Sequence, residues 1–153
     1  MKFLDNAEEL FQAFNRRDVK YMIIGGVAVN IHGYTRATGD LDIWYNPSEQ
    51  NYRQLLLAIH DFGFDTTGLE NASNIRETGF IRLPIDPFHV ELMSLIDGKL
   101  NFEDAHAKSF DFQINQTKVK VIGYDELIQN KIMSRRAKDL EDIAQLEKRR
   151  ARE

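Results

Sequence analysis

Apolar residues recur along the chain at two spacings, helical and alternating, and the changes between them set the expected order of elements. Asp5, with Glu8 three residues on and then Leu10, Phe11 and Phe14, has the form of a capped amphipathic helix running to about Arg17. Lys20 to Ile24 is a short β-prone run that stops at Gly25-Gly26, and Val27 to His32 then starts a helix before Gly33. Leu41 to Tyr45 is a second strand closed by Asn46-Pro47. Ser48 caps the next helix, which carries Leu55, Leu56, Ile59 and Phe62 on one face and ends at Gly63. The pattern fades from Phe64 to Asp86, a polar excursion in which Phe80 to Leu83 has the character of a short strand. Phe88 to Leu95 is strand-like, and Asn101 to about Lys108 is a short helix. Phe110 to Ile114 and Lys118 to Ile122 form a hairpin joined by Asn115-Gln116-Thr117. The chain finishes in two helices, Tyr124 to about Arg135 and Ala137 onward.

Strands interspersed with helices, and no internal repeat, point to an α/β or α+β sheet domain. At 153 residues the expectation is one domain over 1–153, with 124–153 as a C-terminal helical segment. A chain that is 42% hydrophobic and 29% charged is ordinary globular material, which excludes a low-complexity or disordered protein. It has no cysteine, so disulfides, thiolate metal sites and a cysteine nucleophile are excluded. Met1-Lys2-Phe3-Leu4-Asp5 turns acidic before any long apolar run, and no stretch approaches the roughly 18 apolar residues of a membrane span. The expected location is the cytoplasm, with no membrane partner. The net charge of −4 is unevenly spread: residues 131–153 carry eight Lys/Arg against five Asp/Glu, whereas residues 1–130 are acidic. Interleaved charges there suit a solvated helix, or a surface for phosphate or nucleic acid.

The candidate chemistry gathers between Gly25 and Ile43. Asp40 and Asp42 are two apart on a predicted strand, so they face one side with Cα atoms about 6.5–7 Å apart. Two anions so placed repel unless a cation lies between them, and a hard ion such as magnesium takes oxygen ligands. An Asp-x-Asp alone is a common surface feature, so its context carries the weight. Gly25 and Gly26 end the preceding strand, where bare backbone and a helix start let an anion approach. Arg36, in the loop before the acids, has a guanidinium suited to phosphate oxygens or to a structural ion pair. His32 is expected to be packed rather than a metal ligand, and Trp44 and Tyr45 to pack in the sheet rather than stack on a base.

Together these residues resemble the nucleotidyltransferase superfamily typified by DNA polymerase beta, whose signature is an apolar residue, Gly-Gly or Gly-Ser, a gap, and an acidic pair at alternate positions. The gap here is thirteen residues, at the long end. The finer pattern Gly-Gly-x-Ala-x-x-x-His-Gly-x-x-Arg-x-Thr-x-Asp-x-Asp is similar to a small bacterial branch that includes the AbiEii-type toxins. The run from Tyr124 to Ile143 also resembles that branch, which tends to end in Lys…Arg-x-Lys-Asp-x-x-Asp.

The resemblance implies a mixed sheet flanked by helices, and magnesium-dependent transfer of a nucleoside monophosphate from a nucleoside triphosphate. It implies a metal site of Asp40, Asp42 and a third acid, for which Glu91 is the candidate and Asp86 and Asp97 compete. By alternation Glu91 shares a face with His89 and Met93, opposite Phe88, Val90 and Leu92. Lys131, Arg135 and Lys138 follow helical spacings, and on one continuous helix they would form a stripe for the triphosphate, with Asp139 and Asp142 as acids that could orient them. The acceptor stays open between an RNA end such as tRNA, a protein hydroxyl and a small molecule, as in the antibiotic-modifying lincosamide transferases. A non-catalytic nucleotide sensor or antitoxin-like partner is the competing class. Acceptor specificity is expected from residues 64–86, the C-terminal helices or a partner chain such as a cognate antitoxin.

Overall fold

The computed structural model describes residues 2–70 and 80–153. Its elements run α1 (Lys2–Asp5), α2 (Glu8–Arg16), β1 (Tyr21–Ile24), α3 (Gly25–Ile31), β2 (Asp40–Tyr45), α4 (Glu49–Phe62), β3 (Phe80–Ile85), β4 (Phe88–Met93), α5 (Phe102–Ala107), β5 (Phe110–Ile114), β6 (Thr117–Val121), α6 (Tyr124–Ser134) and α7 (Ala137–Arg150). The strands form one six-stranded mixed sheet in the order β3-β4-β2-β1-β6-β5. β2 lies antiparallel to β1 and parallel to β4; β1 is parallel to β6, and the two outer pairs are antiparallel. This is the expected mixed α/β sheet flanked by helices.

Residues paired across neighbouring strands share a face, so register assigns the two sides of the sheet. Tyr21 pairs with Tyr45 and Ile23 with Ile43, and this face is covered by α2 and α4. Phe11 and Phe14 of α2 lie against Tyr21 with ring centroids 5.6 and 5.3 Å apart, and Tyr52 of α4 lies against Tyr45. The opposite face carries Met22, Trp44, Asp40 and Asp42. Trp44 is buried edge-on against Phe102 of α5, and its indole N–H donates to the Ser94 carbonyl at 3.0 Å. Leu41, Ile43, Val90 and Leu92 are fully buried, so the β2–β4 pair has one wholly apolar side and can carry its acids only on the other.

Polar residues pin the ends of this frame. Asn51 is buried on α4; its Oδ1 accepts from the Lys20 amide at 2.8 Å and its Nδ2 donates to the carbonyls of Lys20 and Asn46. One side chain thus fixes the start of β1 beside the end of β2. Ser48 caps α4 by accepting from the Asn51 amide, and Gly63 ends it at φ 121°.

Several boundaries differ from the sequence reading. Asp5 does not cap the first long helix: it ends the short α1, and α2 starts after Ala7 with no side-chain cap. Asp5 instead lies 3.4 Å from the Asn115 amide nitrogen on the β5–β6 turn. α3 starts at Gly25 rather than Val27, directly off β1. The β5–β6 turn is the two residues Asn115 and Gln116, since Thr117 pairs with Ile114. The β-prone run at Phe80 extends through Pro84 to Ile85; proline fits because β3 is an edge strand. Of the weakly patterned stretch, residues 71–79 lie outside the described residues.

Phe11 is fully buried between Phe14 and Tyr21. Phe11→Ala is expected to lower the unfolding free energy by roughly 3–5 kcal/mol in urea titrations. Leu57→Ala, on the exposed side of α4, should change it by less than about 0.5 kcal/mol. Equal effects would contradict this placement of the core.

Candidate active site

The parallel pairing of β2 with β4 sets Asp40 opposite His89 and Asp42 opposite Glu91. All four side chains therefore project from the same face, as the alternation of Glu91 with Val90 and Leu92 required. Asp40 leans toward His89, Nδ1 to Oδ1 4.0 Å, and Glu91 toward Arg82 of β3, also 4.0 Å. Asp42 lies deepest. Its Oδ1 is buried with no hydrogen-bond partner, and burial together with the negative charges of Glu91 and Asp40 pushes its carboxyl up to about 6, against the pull of Lys138.

The two glycines are explained by what surrounds them. Gly25 sits at φ +68°, and a Cβ there would fall 2.3 Å from Asp42 Oδ2. A Cβ on Gly26 would fall 2.7 Å from Thr38 Oγ1. The loop from α3 to β2 is held against this turn: the Arg36 amide donates to Asn30 Oδ1 at 3.0 Å, and Thr38 Oγ1 donates to the Asp40 carbonyl at 3.2 Å.

Two adjoining cavities open at Asp42. One, of about 290 Å³, is lined by Gly25, Gly26, the segment 36–40, Asp42, Lys131, Arg136 and Lys138. The other, of about 450 Å³, shares Gly25, Asp42, Lys131 and Arg136, and adds Glu91, Asp97, Asn130 and Ser134 together with apolar Ile24, Met93, Leu95 and Ile96. Cations thus gather mainly on one side of Asp42, and acids and apolar groups on the other.

Lys131, expected as a phosphate ligand, lines both cavities but is buried and ion-paired. It is 2% exposed, and its Nζ lies 3.0 Å from Asp139 Oδ1 and 2.9 Å from Asp142 Oδ2. Lys131, Arg135 and Lys138 do not lie on one helix. The chain breaks at Arg135, which takes a left-handed φ of 55° and separates α6 from α7. Arg135 lines neither cavity, whereas Lys138 lines the smaller one. Arg36 reaches across to Asp142, with Nε and Nη2 at 2.6 and 2.8 Å from its two oxygens.

Among the other sequence candidates, Asp97 lines the larger cavity and accepts from Ser134 Oγ at 3.1 Å, while Asp86 sits at the β3–β4 turn and lines neither cavity. His32 is packed edge-on to Phe110 and Tyr124, with Nε2 2.8 Å from the Ile122 carbonyl. Trp44 and Tyr45 are core residues.

Arg136 was missed by the sequence reading and lines both cavities. A signal for it existed: Arg136, not Arg135, occupies the arginine position of Arg-x-Lys-Asp-x-x-Asp, and Asp139 lies three residues beyond it.

A family model described as nucleotidyltransferase of unknown function (DUF6036) matches residues 1–148. The chain belongs to this nucleotidyltransferase family. No curated protein matches it significantly. Its fold is similar to a crystal structure from Thermotoga maritima described as a candidate nucleotidyltransferase, at 16% identity and a TM-score of 0.63, covering 94% of this chain and 91% of that one. Among the described residues, no helix is long and apolar enough to cross a membrane.

The donor set at Asp42 consists of carboxylate oxygens, the chemistry a hard divalent cation takes, and the unpartnered Asp42 Oδ1 is an acceptor such a cation would satisfy. Among the described residues, no three His, Asp or Glu side chains converge tightly enough to enclose an ion by themselves. Asp42 and Glu91, with Asp40 at the rim, are the residues that fit one.

The buried aspartates behave oppositely to Asp42. Burial opposes their ionisation, but hydrogen bonds from Arg136 and Lys131 to Asp139, and from Arg36 and Lys131 to Asp142, outweigh it and hold both carboxyls below the usual range. Their folded-state values lie below the unfolded ones. The resulting stabilisation is therefore complete above about pH 5 and is lost as pH falls toward and through the depressed values. Asp142→Asn is expected to cost roughly 3–5 kcal/mol near neutrality, because it takes from Arg36 its carboxylate and from buried Lys131 one of its two. Urea unfolding of the two proteins from pH 7 to 3 should show a gap that is constant above about pH 5 and shrinks toward acid. A gap that widens toward acid would contradict the assignment.

Proposed function

We propose that the protein is a magnesium-dependent nucleotidyltransferase that moves a nucleoside monophosphate from a nucleoside triphosphate to a macromolecular acceptor, an RNA end such as that of tRNA or a protein hydroxyl, in the manner of the AbiEii-type toxins it resembles. The observation that carries this reading is the alignment of Asp42 with Glu91 across β2 and β4, with Asp40 on the same face, facing a glycine turn and a cluster of cations. Asp40, Asp42 and Glu91 would hold magnesium, which when bound supplies positive charge to the triphosphate and its departing pyrophosphate.

The chain's own groups divide the remaining work. Gly25 and Gly26 line the smaller cavity beside Asp42, and Arg36 and Lys138 bring positive charge to it. The acceptor hydroxyl attacks the α-phosphorus in line, a new oxygen–phosphorus bond forms, and pyrophosphate leaves. Glu91, partly exposed and lining the larger cavity, would draw the proton from that hydroxyl. Support for a polyanionic acceptor comes from the exposed Lys148, Arg149 and Arg150 at the end of α7 and Arg152 just beyond it.

Incubation with magnesium, each α-labelled nucleoside triphosphate and a bacterial lysate is expected to place label on a macromolecule, RNase-sensitive or protease-sensitive. Asp40→Asn, Asp42→Asn and Glu91→Gln should each abolish labelling by about 100-fold or more while circular dichroism stays unchanged. Label confined to a small solute would replace the macromolecular acceptor with an antibiotic-like one. Tight triphosphate binding with no label anywhere would favour a nucleotide sensor. Full labelling by Glu91→Gln would move the third acid to Asp97.

A further inference from the structure

The cations beside Asp42 are tied down from behind. Asp142 takes Nε and Nη2 of Arg36, and Asp139 takes Nε of Arg136 at 2.8 Å and Nη2 at 3.4 Å, with Lys131 Nζ between the two carboxylates. Two anions thus hold three cations, and the cluster keeps one positive charge in excess. A network built only to join α6 to α7 would need no surplus cation beside the cavities.

The two arginines are presented differently. Arg36 also spends Nη1 on the Ala37 carbonyl at 3.0 Å and has a largely covered side chain. The Arg136 side chain is 62% exposed, lines both cavities, and has no hydrogen-bond partner for Nη1 among the described residues. A guanidinium is a rigid planar fork: one edge docked on a carboxylate fixes where the other edge points. Here the Nε edge of Arg136 is docked on Asp139, and the Nη1 side is left for a ligand.

We propose that Arg136 is a polyphosphate-binding residue of this site, and that Asp139, joined through Lys131 to Asp142, is the positioning residue that holds its guanidinium preorganised for the phosphates of a triphosphate. This rests on the nucleotide-binding reading above. It reassigns Lys131 from phosphate ligand to the tie between the two carboxylates, and it replaces Arg135 by its neighbour. Preorganisation favours binding because the side chains are ordered before the ligand arrives. A triphosphate carries more anionic oxygens than a monophosphate, so it gains more from this added guanidinium.

Charge and positioning make opposite predictions for Asp139. Removing its negative charge leaves the site more positive, so attraction alone would tighten the grip on a polyanion. Loss of the docking edge for Arg136 would weaken it.

The test is calorimetric titration of the full chain, in magnesium, with each of the four nucleoside triphosphates and the matching monophosphates. Arg136→Gln is expected to weaken triphosphate binding by about 10- to 100-fold while changing monophosphate binding by less than about two-fold. Arg136→Lys, which keeps the charge and loses the fork, should recover only part of the loss. Asp139→Asn, checked for folding by thermal denaturation, should weaken triphosphate binding. Triphosphate binding by Arg136→Gln equal to that of the parent, an equal loss for mono- and triphosphate, or tighter binding by Asp139→Asn would each overturn the proposal and leave the nucleotide-binding reading standing. No binding of any triphosphate by the parent would overturn both. Should Asp139→Asn not fold, the two Arg136 variants decide the matter alone.

Discussion

A buried ammonium between two buried carboxylates is the contact on which the site's geometry depends. Desolvating Lys131, Asp139 and Asp142 together costs several kcal/mol per ion, and it is tolerable only because each charge meets opposite charge at close range. The geometry cannot relax cheaply, since moving any member strands the others. That rigidity fixes the corner between α6 and α7 and, through Arg36, ties the loop before β2 to α7, 106 residues away in sequence. The loop therefore carries Asp40 and Asp42 into the sheet from a defined direction.

The sheet supplies the other half of the constraint. Leu41, Ile43, Val90 and Leu92 are fully buried on one side of β2 and β4, so a register slip of one residue would drive Asp40, Asp42, His89 and Glu91 into the core. Burial of the apolar residues thus holds four ionisable groups on the opposite face, against their own repulsion. The raised Asp42 carboxyl is the local sign of that opposition: the fold crowds anions where isolated stability would disperse them. Gly25 completes the crowding, since only a residue without a side chain leaves room beside Asp42 Oδ2.

Much of this was legible from residue order. Period-two alternation put Glu91 on the polar side of its strand, Ser48 and Gly63 bounded α4, and Gly25-Gly26 with Asp40 and Asp42 carried the family resemblance. What stayed hidden depended on contacts between distant segments. Nothing local marks Lys131 as buried, because its partners belong to another helix beyond a break. That break was hard to time because the left-handed residue is Arg135, not the glycine or asparagine that usually announces one. A helical wheel drawn through it aligned Lys131, Arg135 and Lys138 where the chain in fact turns. Asp5 misled for a related reason: a capping sequence precedes α2, yet the residue ends a helix of its own.

The break also explains how one short segment can serve both packing and charge. In a straight helix, residues three and four apart share a face, so Arg136, Asp139 and Asp142 would present a cation and two anions to one surface. Here Arg136 is the residue before the first turn of α7, with extended backbone, and its amide and guanidinium both fold back onto Asp139. The aspartates can then face inward to Lys131 while the guanidinium faces out. The turn at Arg135 converts a row of mixed charges into two layers, anions beneath and cations at the cavity wall. A cation layer backed by buried anions is fixed in place without being fully neutralised, which is the electrostatic condition for holding a polyanion next to the carboxylates of β2 and β4.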